Sequence, residues 1–245
     1  MITQYRFTIK EKEGSGRPLP SFWAYRFYSW LLTQIPDAYA LSLHDQGEKP
    51  ISQYLYRNRA SDSDIWVVNL LSAEAAEIFR DPLESATEIP LHTGKIRLEL
   101  HSKNVWSAVQ LASFAREKEF SRRKNVQFLT PTAFKSEGRY AIFPQEKWLV
   151  QTLILKWNQT FPEMPLDDQD AVAALERGIK ITDYALRSTR YPLKNIKIPG
   201  FIGNVTFESH LAVPMEEIWQ LLLYFATFSG VGIKTTLGMG AVYVE

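Results

Sequence analysis

Apolar residues in this chain recur at two different periods, and the order in which those periods alternate occurs twice. In TQYRFTIKEKE, Tyr5, Phe7 and Ile9 alternate with polar residues, the pattern of a strand with one buried face. GSGRP breaks it. LPSFWAYRFYSWLLTQI then places Phe22, Trp23, Phe27, Trp30, Leu31 and Ile35 at spacings of three and four, the stripe of an amphipathic helix. ISQYLYRN and DIWVVNLL read as strands joined by RASDSD. SAEAAEIFRD opens on Ser72 with Glu74 and Glu77 early, as a capped helix does. KIRLELHS alternates again, so the order is strand, helix, strand, strand, helix, strand.

The second half repeats that order with additions. NVQFLTPTAFK and GRYAIFP read as a hairpin, QEKWLVQTLILKWNQTF as a striped helix, and KITDYALRSTRYPLKNIKIPGFIGNVTFESH as strands turning at Pro199 and Gly200. VPMEEIWQLLLYFATFS is a helix with Pro214 in its first turn and Gly230 just past its end, and GAVYVE closes as a strand. Two βαββαβ units in series make this an α+β chain of two tandem ferredoxin-like domains. The expected division is 1–120 and 121–245, with SKNVWSAVQLASFAREKE as a helix bridging the halves.

Two domains of about 120 residues fit the usual domain size. The absence of cysteine excludes a disulfide framework and thiolate metal sites and fits a reducing cytoplasm. No N-terminal run has the makeup of a secretory signal, and no apolar stretch reaches the length of a membrane span. The expectation is a soluble cytoplasmic protein with no membrane contact. A net charge of +1 conceals opposed patches: REKEFSRRKN carries Arg116, Lys118, Arg122, Arg123 and Lys124, whereas FPEMPLDDQDAVAALE is acidic throughout and reads as a solvated turn.

FSGVGIKTTLGMGAVYVE holds Gly230, Gly232, Gly238 and Gly240 with Lys234 between the pairs. A P-loop or dinucleotide fingerprint runs from a strand into a helix, so that the helix N-terminus faces phosphate. Here the loop follows a helix, which excludes a nucleotide-cofactor reading. Consecutive backbone amides can still form an anion-binding nest, and Lys234, Thr235 and Thr236 add a charge and two hydroxyls. A phosphate chain lying on the loop is the ligand this favours. The competing reading is a glycine helix cap followed by a bulged edge strand.

Helix, glycine, apolar, glycine, lysine-bearing spacer, glycine, apolar, glycine and final strand resembles the signature loop of the repeat-associated RAMP superfamily. Within it, the chain is similar to the CRISPR-associated endoribonucleases that process precursor crRNA. TPTAFKSEGRYAIFP is similar to the segment opening the second half in members associated with type III systems. The resemblance implies CRISPR repeat RNA as partner, and it allows a homodimer and a transient contact with a type III effector complex. It implies no cofactor.

The resemblance also selects a histidine. His44, in YALSLHDQGEKPISQYLY, falls in a segment expected as a loop after the first helix, five residues before Lys49, whereas His92, His101 and His210 lie on or beside expected strands. A histidine followed by lysine-proline leading into a strand is similar to the family's catalytic pair. By that likeness His44 is the general acid or base and Lys49 the electrostatic stabiliser. RNA cleaves when a ribose 2′-OH attacks the adjacent phosphorus and expels the 5′-oxygen, leaving a 2′,3′-cyclic phosphate and a 5′-OH. An imidazole titrating near neutrality moves one of those protons, typically for about 10²–10⁴-fold. Lysine stabilises the phosphorane. Many family members add a tyrosine from the first helix, and Tyr28 is the best placed, with Tyr25 and Tyr39 as competitors. A metalloprotease spacing, an EF-hand loop and a serine-hydrolase elbow are all missing.

For the RNA backbone, the basic candidates are Arg122, Arg123, Lys124, Lys135, Arg187, Arg190, Lys194 and Lys234. Tyr184, Tyr191 and Phe201 lie among them and could stack unpaired bases. The leading reading is a metal-independent endoribonuclease acting on CRISPR repeats. Its rival is a non-catalytic RAMP subunit that only binds crRNA, which would have no use for a proton carrier at His44.

Overall fold

Each of two units folds around a sheet with the same strand order. A computed structural model describes residues 1–12, 18–45, 47, 49–91, 94–118 and 121–245. The first unit comprises Met1–Val105 with Thr236–Gly238, the second Trp106–Thr235 with Met239–Glu245. The GSGRP break lies mostly outside the described residues, as does His92.

In the first unit, β1 (Ile2–Lys12) is followed by a 3-10 turn (Ser21–Trp23), α1 (Ala24–Leu32) and α2 (Asp37–Asp45). Strands β2 (Ile51–Asn58) and β3 (Ser63–Leu70), helices α3 (Ala73–Ile78) and α4 (Arg80–Glu84), and strands β4 (Glu88–Leu91) and β5 (Gly94–Trp106) complete it. The sheet order is β2-β3-β1-β5-β4. Alternation in β1 sends Tyr5, Phe7 and Ile9 into one core with Phe27 and Leu31 of α1 and with Trp66 and Val68 of β3. Trp66 stacks on Phe7 and meets Phe27 edge-on, each at 5.1 Å between ring centres.

The stripe expected to run to Ile35 stops at Leu32, and a second helix starts at Asp37. Pro36 marks the break: it has no N–H to continue α1, but its carbonyl accepts from Tyr39 and Ala40 at 3.0 Å and so starts α2. His44 therefore stands in the last turn of a helix, not in a loop. The apolar signal of α2 is weak because Leu41 is exposed while Leu43 is buried.

The second unit opens with α5 (Ala108–Glu117), whose Ser107 and Gln110 form a reciprocal capping box. Then come β6 (Arg123–Thr132), β7 (Phe134–Ser136), β8 (Arg139–Ala141), α6 (Glu146–Thr160), α7 (Gln169–Gly178), β9 (Ile179–Leu193), β10 (Ile196–Ser209) and α8 (Val213–Ser229). A 3-10 turn (Thr235–Leu237) precedes β11 (Val242–Val244). The order β11-β6-β10-β9 places the unit's last strand beside its first and its third beside its second. With β4 set aside, the first unit has the same arrangement, that of the ferredoxin-like fold.

Helix α5 falls in the second unit, so the division comes at 105/106. Its partners explain this. Arg116 Nε pairs with Glu217 at 2.9 Å, Gln220 Nε2 donates to the Ala115 carbonyl, and Trp106 and Phe114 pack on Phe228 and Tyr224 of α8.

Three further readings are corrected. The acidic run is an exposed turn only as far as Asp168; from Gln169 it is α7, where Asp168 Oδ1 accepts from the Ala171 amide at 2.9 Å. Pro199 and Gly200 lie inside β10, and the β9–β10 turn is at Lys194, with φ 50°. Proline is tolerated there because the ladder from β10 to β6 begins only at Phe201. Finally, NVQFLTPT joins the main sheet as β6, and only Phe134–Ser136 and Arg139–Ala141 form the small hairpin, turning through Glu137 and Gly138 at positive φ.

Candidate functional site

His44 is exposed at the C-terminal turn of α2. Lys49 is half-buried directly before β2, and Pro50 ties that entry to the sheet by accepting from the Leu71 amide at 2.8 Å. Gln46 and Glu48, between the two, lie outside the described residues.

Tyr28 occupies a different environment. It is 5% exposed and packed in the core of the first unit, where burial, then the neighbouring Tyr39, pushes its phenol up to about 12. Packed in that core, Tyr28 does not face a polymer at the surface. Tyr39 is likewise pushed to about 12, by burial and then Glu74.

The glycine loop is held from within. Gly230 ends α8 at φ 65°, and Gly232 and Gly240 both sit at φ 75°. A Cβ on Gly232 would lie 2.3 Å from the Ala133 carbonyl oxygen, and one on Gly240 would lie 2.1 Å from that of Val231. The partner that requires bare backbone at these positions is therefore the chain itself. Three backbone bonds anchor the loop, one of them on that Ala133 carbonyl: Ile233 N donates to Ala133 O at 3.0 Å, Val231 N to Gly240 O at 2.8 Å and Gly240 N to Pro131 O at 3.1 Å. Thr235 and Thr236 are each 8% exposed, and Lys234, at φ 59°, is the exposed residue at the tip.

Two buried side chains that the sequence reading passes over hold this loop. In the first unit, Gln53 Nε2 donates to the carbonyls of Ala24 and Thr236, each at 2.8 Å, while its Oε1 accepts from Trp66 Nε1 at 2.8 Å. In the second, Lys156 Nζ donates to the carbonyls of Ser229 at 3.1 Å and Gly230 at 3.3 Å and to Thr235 Oγ1 at 3.2 Å. The signal for Lys156 is legible afterwards: Leu149, Leu153, Lys156 and Thr160 share one buried stripe of α6, a lysine in a core position.

The basic candidates separate. Arg122, Arg123, Lys135, Arg187, Arg190, Lys194 and Lys234 are exposed. Lys124 is 5% exposed, paired with the core residue Phe207, and cannot meet a phosphate chain at the surface. The Arg122 guanidinium is turned onto the carbonyls of Ser209 and Leu211, at 3.4 and 3.2 Å. Arg187 and Arg190, three apart on β9, project from opposite faces and do not form one line. Of the stacking candidates, Tyr191 and Phe201 belong to the core, whereas Tyr184 is 57% exposed and meets the exposed Phe143 edge-on at 5.2 Å.

Each unit also presents a concavity on a sheet face that the sequence did not signal. One, of about 550 Å³, is lined by Arg6, Lys10, Tyr56, Asn58 and His101. The other, of about 570 Å³, is lined by Arg123, Asn125, Asp183, Asn204 and Thr206. Among the described residues no group of three or more His, Asp or Glu side chains has the arrangement of a metal site, and no helix is long and apolar enough to cross a membrane.

Two ferredoxin-like units in series, the second carrying a glycine-rich loop between its last helix and last strand, define the class of fold. The family model for CRISPR-associated endoribonuclease Cas6 matches residues 126–242. The enzyme of that name from Streptococcus thermophilus is 28% identical over 240 residues, spanning 98% of this chain and 96% of the relative. That of Mycobacterium tuberculosis is 30% identical over 221 residues, 88% of this chain and 69% of the relative. A solved Cas6 product complex superposes with a TM-score of 0.78 at 22% identity, with 100% of both chains covered. The chain belongs to the CRISPR-associated endoribonuclease Cas6 family.

Proposed function

We propose that this protein cleaves CRISPR repeat RNA within the precursor transcript, by attack of a ribose 2′-OH on the adjacent phosphate. The observation that carries the reading is His44: in a chain of this family, it is an exposed imidazole five residues before a half-buried lysine. Exposure lets a polymer reach it. The nucleophile belongs to the RNA itself, so the reaction needs neither a water molecule nor a metal ion to supply one. His44 takes the proton of the 2′-OH or delivers one to the leaving 5′-oxygen. Lys49, tethered at the start of β2, offers a cation for the charge that builds on the phosphorane oxygens. Cleavage leaves a 2′,3′-cyclic phosphate upstream and a 5′-OH downstream.

The RNA is held by the sequence-independent attraction of exposed cations, Lys234 at the glycine loop and Arg123, Lys135, Arg187, Arg190 and Lys194 elsewhere on the second unit. The amides of Val231, Ile233 and Gly240 serve the loop's own structure, so the loop's contribution to an anion is chiefly Lys234 on a rigid support.

The test is cleavage of a labelled repeat in EDTA, with wild type beside His44→Ala and product ends identified by phosphatase and kinase treatment. The expected result is a cut in wild type ending in a cyclic phosphate, lost by at least about 10²-fold in the variant while RNA binding persists. Equal cutting by both proteins removes His44 from the chemistry. Binding without cutting by either supports the crRNA-binding subunit instead.

A further inference from the structure

We infer that Lys156 is a positioning residue for RNA binding: its buried ammonium fixes the glycine loop in the form that presents Lys234. The inference rests on the reading of that loop as an RNA contact.

Lys156 is 3% exposed. An ammonium loses several strong interactions with water when it is enclosed, so a lysine in a core stripe is unfavourable unless its donors are met. Three are met here, and where they are met matters. Ser229 and Gly230 supply carbonyls at the C-terminus of α8, the end where helix carbonyls lack partners and partial negative charge gathers. Thr235 supplies its hydroxyl from the far side of the loop. One cation thus joins both ends of the segment Val231–Lys234.

That segment is otherwise built to be stiff, through Gly232 against Ala133 and through the amides of Val231 and Ile233. Lys234 is the exposed side chain on it, in a left-handed conformation that only a firmly held backbone maintains. A methionine or leucine at 156 would fill the stripe without the desolvation penalty, and would leave the two ends of the loop without a common partner. A polar clamp at that cost is explained if the loop must be preorganised for a ligand, because ordering done before binding need not be done during it.

The experiment is a double-mutant cycle between Lys156→Met and Lys234→Ala, read as the dissociation constant for the repeat RNA, with wild-type melting temperature and backbone hydrogen exchange measured alongside without RNA. Lys156→Met leaves the carbonyls of Ser229 and Gly230 and the Thr235 hydroxyl without their common donor, so it is expected to melt below wild type, to speed exchange at residues 231–235, and to weaken RNA binding on the order of 10-fold, the cost of reordering one or two long side chains on binding. The loss is expected in affinity more than in the cleavage rate at saturating RNA. Added to Lys156→Met, Lys234→Ala is expected to cause little further loss, because the first change has already displaced it. Fully additive losses, or unchanged affinity and exchange in Lys156→Met, would overturn the inference. If Lys156→Met does not fold, Thr235→Val removes one of the three acceptors at constant shape, and the same cycle applies. If wild type binds no RNA, the functional reading fails, while the exchange at 231–235 still decides whether Lys156 holds the loop.

Discussion

A methyl group added at Gly232 would sit 2.3 Å from the Ala133 carbonyl oxygen and 3.2 Å from its carbon, with the backbone at φ 75°. Two costs follow. A side chain in the left-handed region is unfavourable by about 1–2 kcal/mol. The contact itself is an overpacking of the kind that costs about 1–3 kcal/mol, and it cannot relax by a rotamer change because both atoms are on or next to the backbone. It also displaces the acceptor of the Ile233 amide. The expected loss for Gly232→Ala is therefore about 2–5 kcal/mol in the unfolding of the second unit. At roughly 2–4 °C per kcal/mol, the melting temperature should fall by about 4–20 °C. Two glycines supply controls. Gly138 has φ 77° with nothing within 4 Å of its added Cβ, so Gly138→Ala should show only the conformational term, and Gly47, with open space and no positive φ, should show neither. Thermal unfolding by near-ultraviolet circular dichroism, with urea titration for the free energies, separates the three. A Gly232→Ala protein no less stable than Gly138→Ala would refute the claim that the loop is wedged against Ala133.

Lys234→Ala should reduce the slope of log affinity against log salt for single-stranded RNA by about 0.7, the amount expected for one lost phosphate contact; an unchanged slope would take Lys234 off the backbone track. Gln53→Leu leaves two carbonyls and the Trp66 indole N–H without their partner, and should destabilise the first unit by more than about 2 kcal/mol in urea; Gln53→Glu, which can accept from Trp66 but turns a second acceptor onto the two carbonyls, should recover none of it at neutral pH. Tyr28 and Tyr54 are each pushed up to about 12, chiefly by burial, from an ordinary value of 10. A phenol raised in the folded state stabilises fully below the unfolded value, and that contribution disappears as pH climbs from about 10 to 12. Unfolding free energy should fall across that interval, less steeply in Tyr28→Phe, and identical alkaline slopes would contradict the assigned burial.

Much of the fold was legible because hydrophobic period is a local property: alternation in β1 and stripes in α1, α6 and α8 report directly which side of each element meets a core. The same logic failed where one residue had to be weighed against its setting. Tyr184, Tyr191 and Phe201 look alike in sequence, yet register and position in the sheet bury the last two and leave Tyr184 exposed. Lys124 and Arg123 are neighbours in a basic run, and strand alternation sends one into the core and the other to the surface. Pro36 stands just past the last striped position, Ile35, and starts a further helix, which carries His44.

From the sequence by itself came the doubled order of elements, the family likeness and the positions where backbone had to be bare, since period and glycine placement are written locally. What approaches that bare backbone was settled only in three dimensions. Ala133 and the ammonium of Lys156 reach the loop from other parts of the chain, and Val231 meets Gly240 across it; no local pattern encodes which carbonyl or cation will lie against a glycine once β6, α6 and α8 have packed.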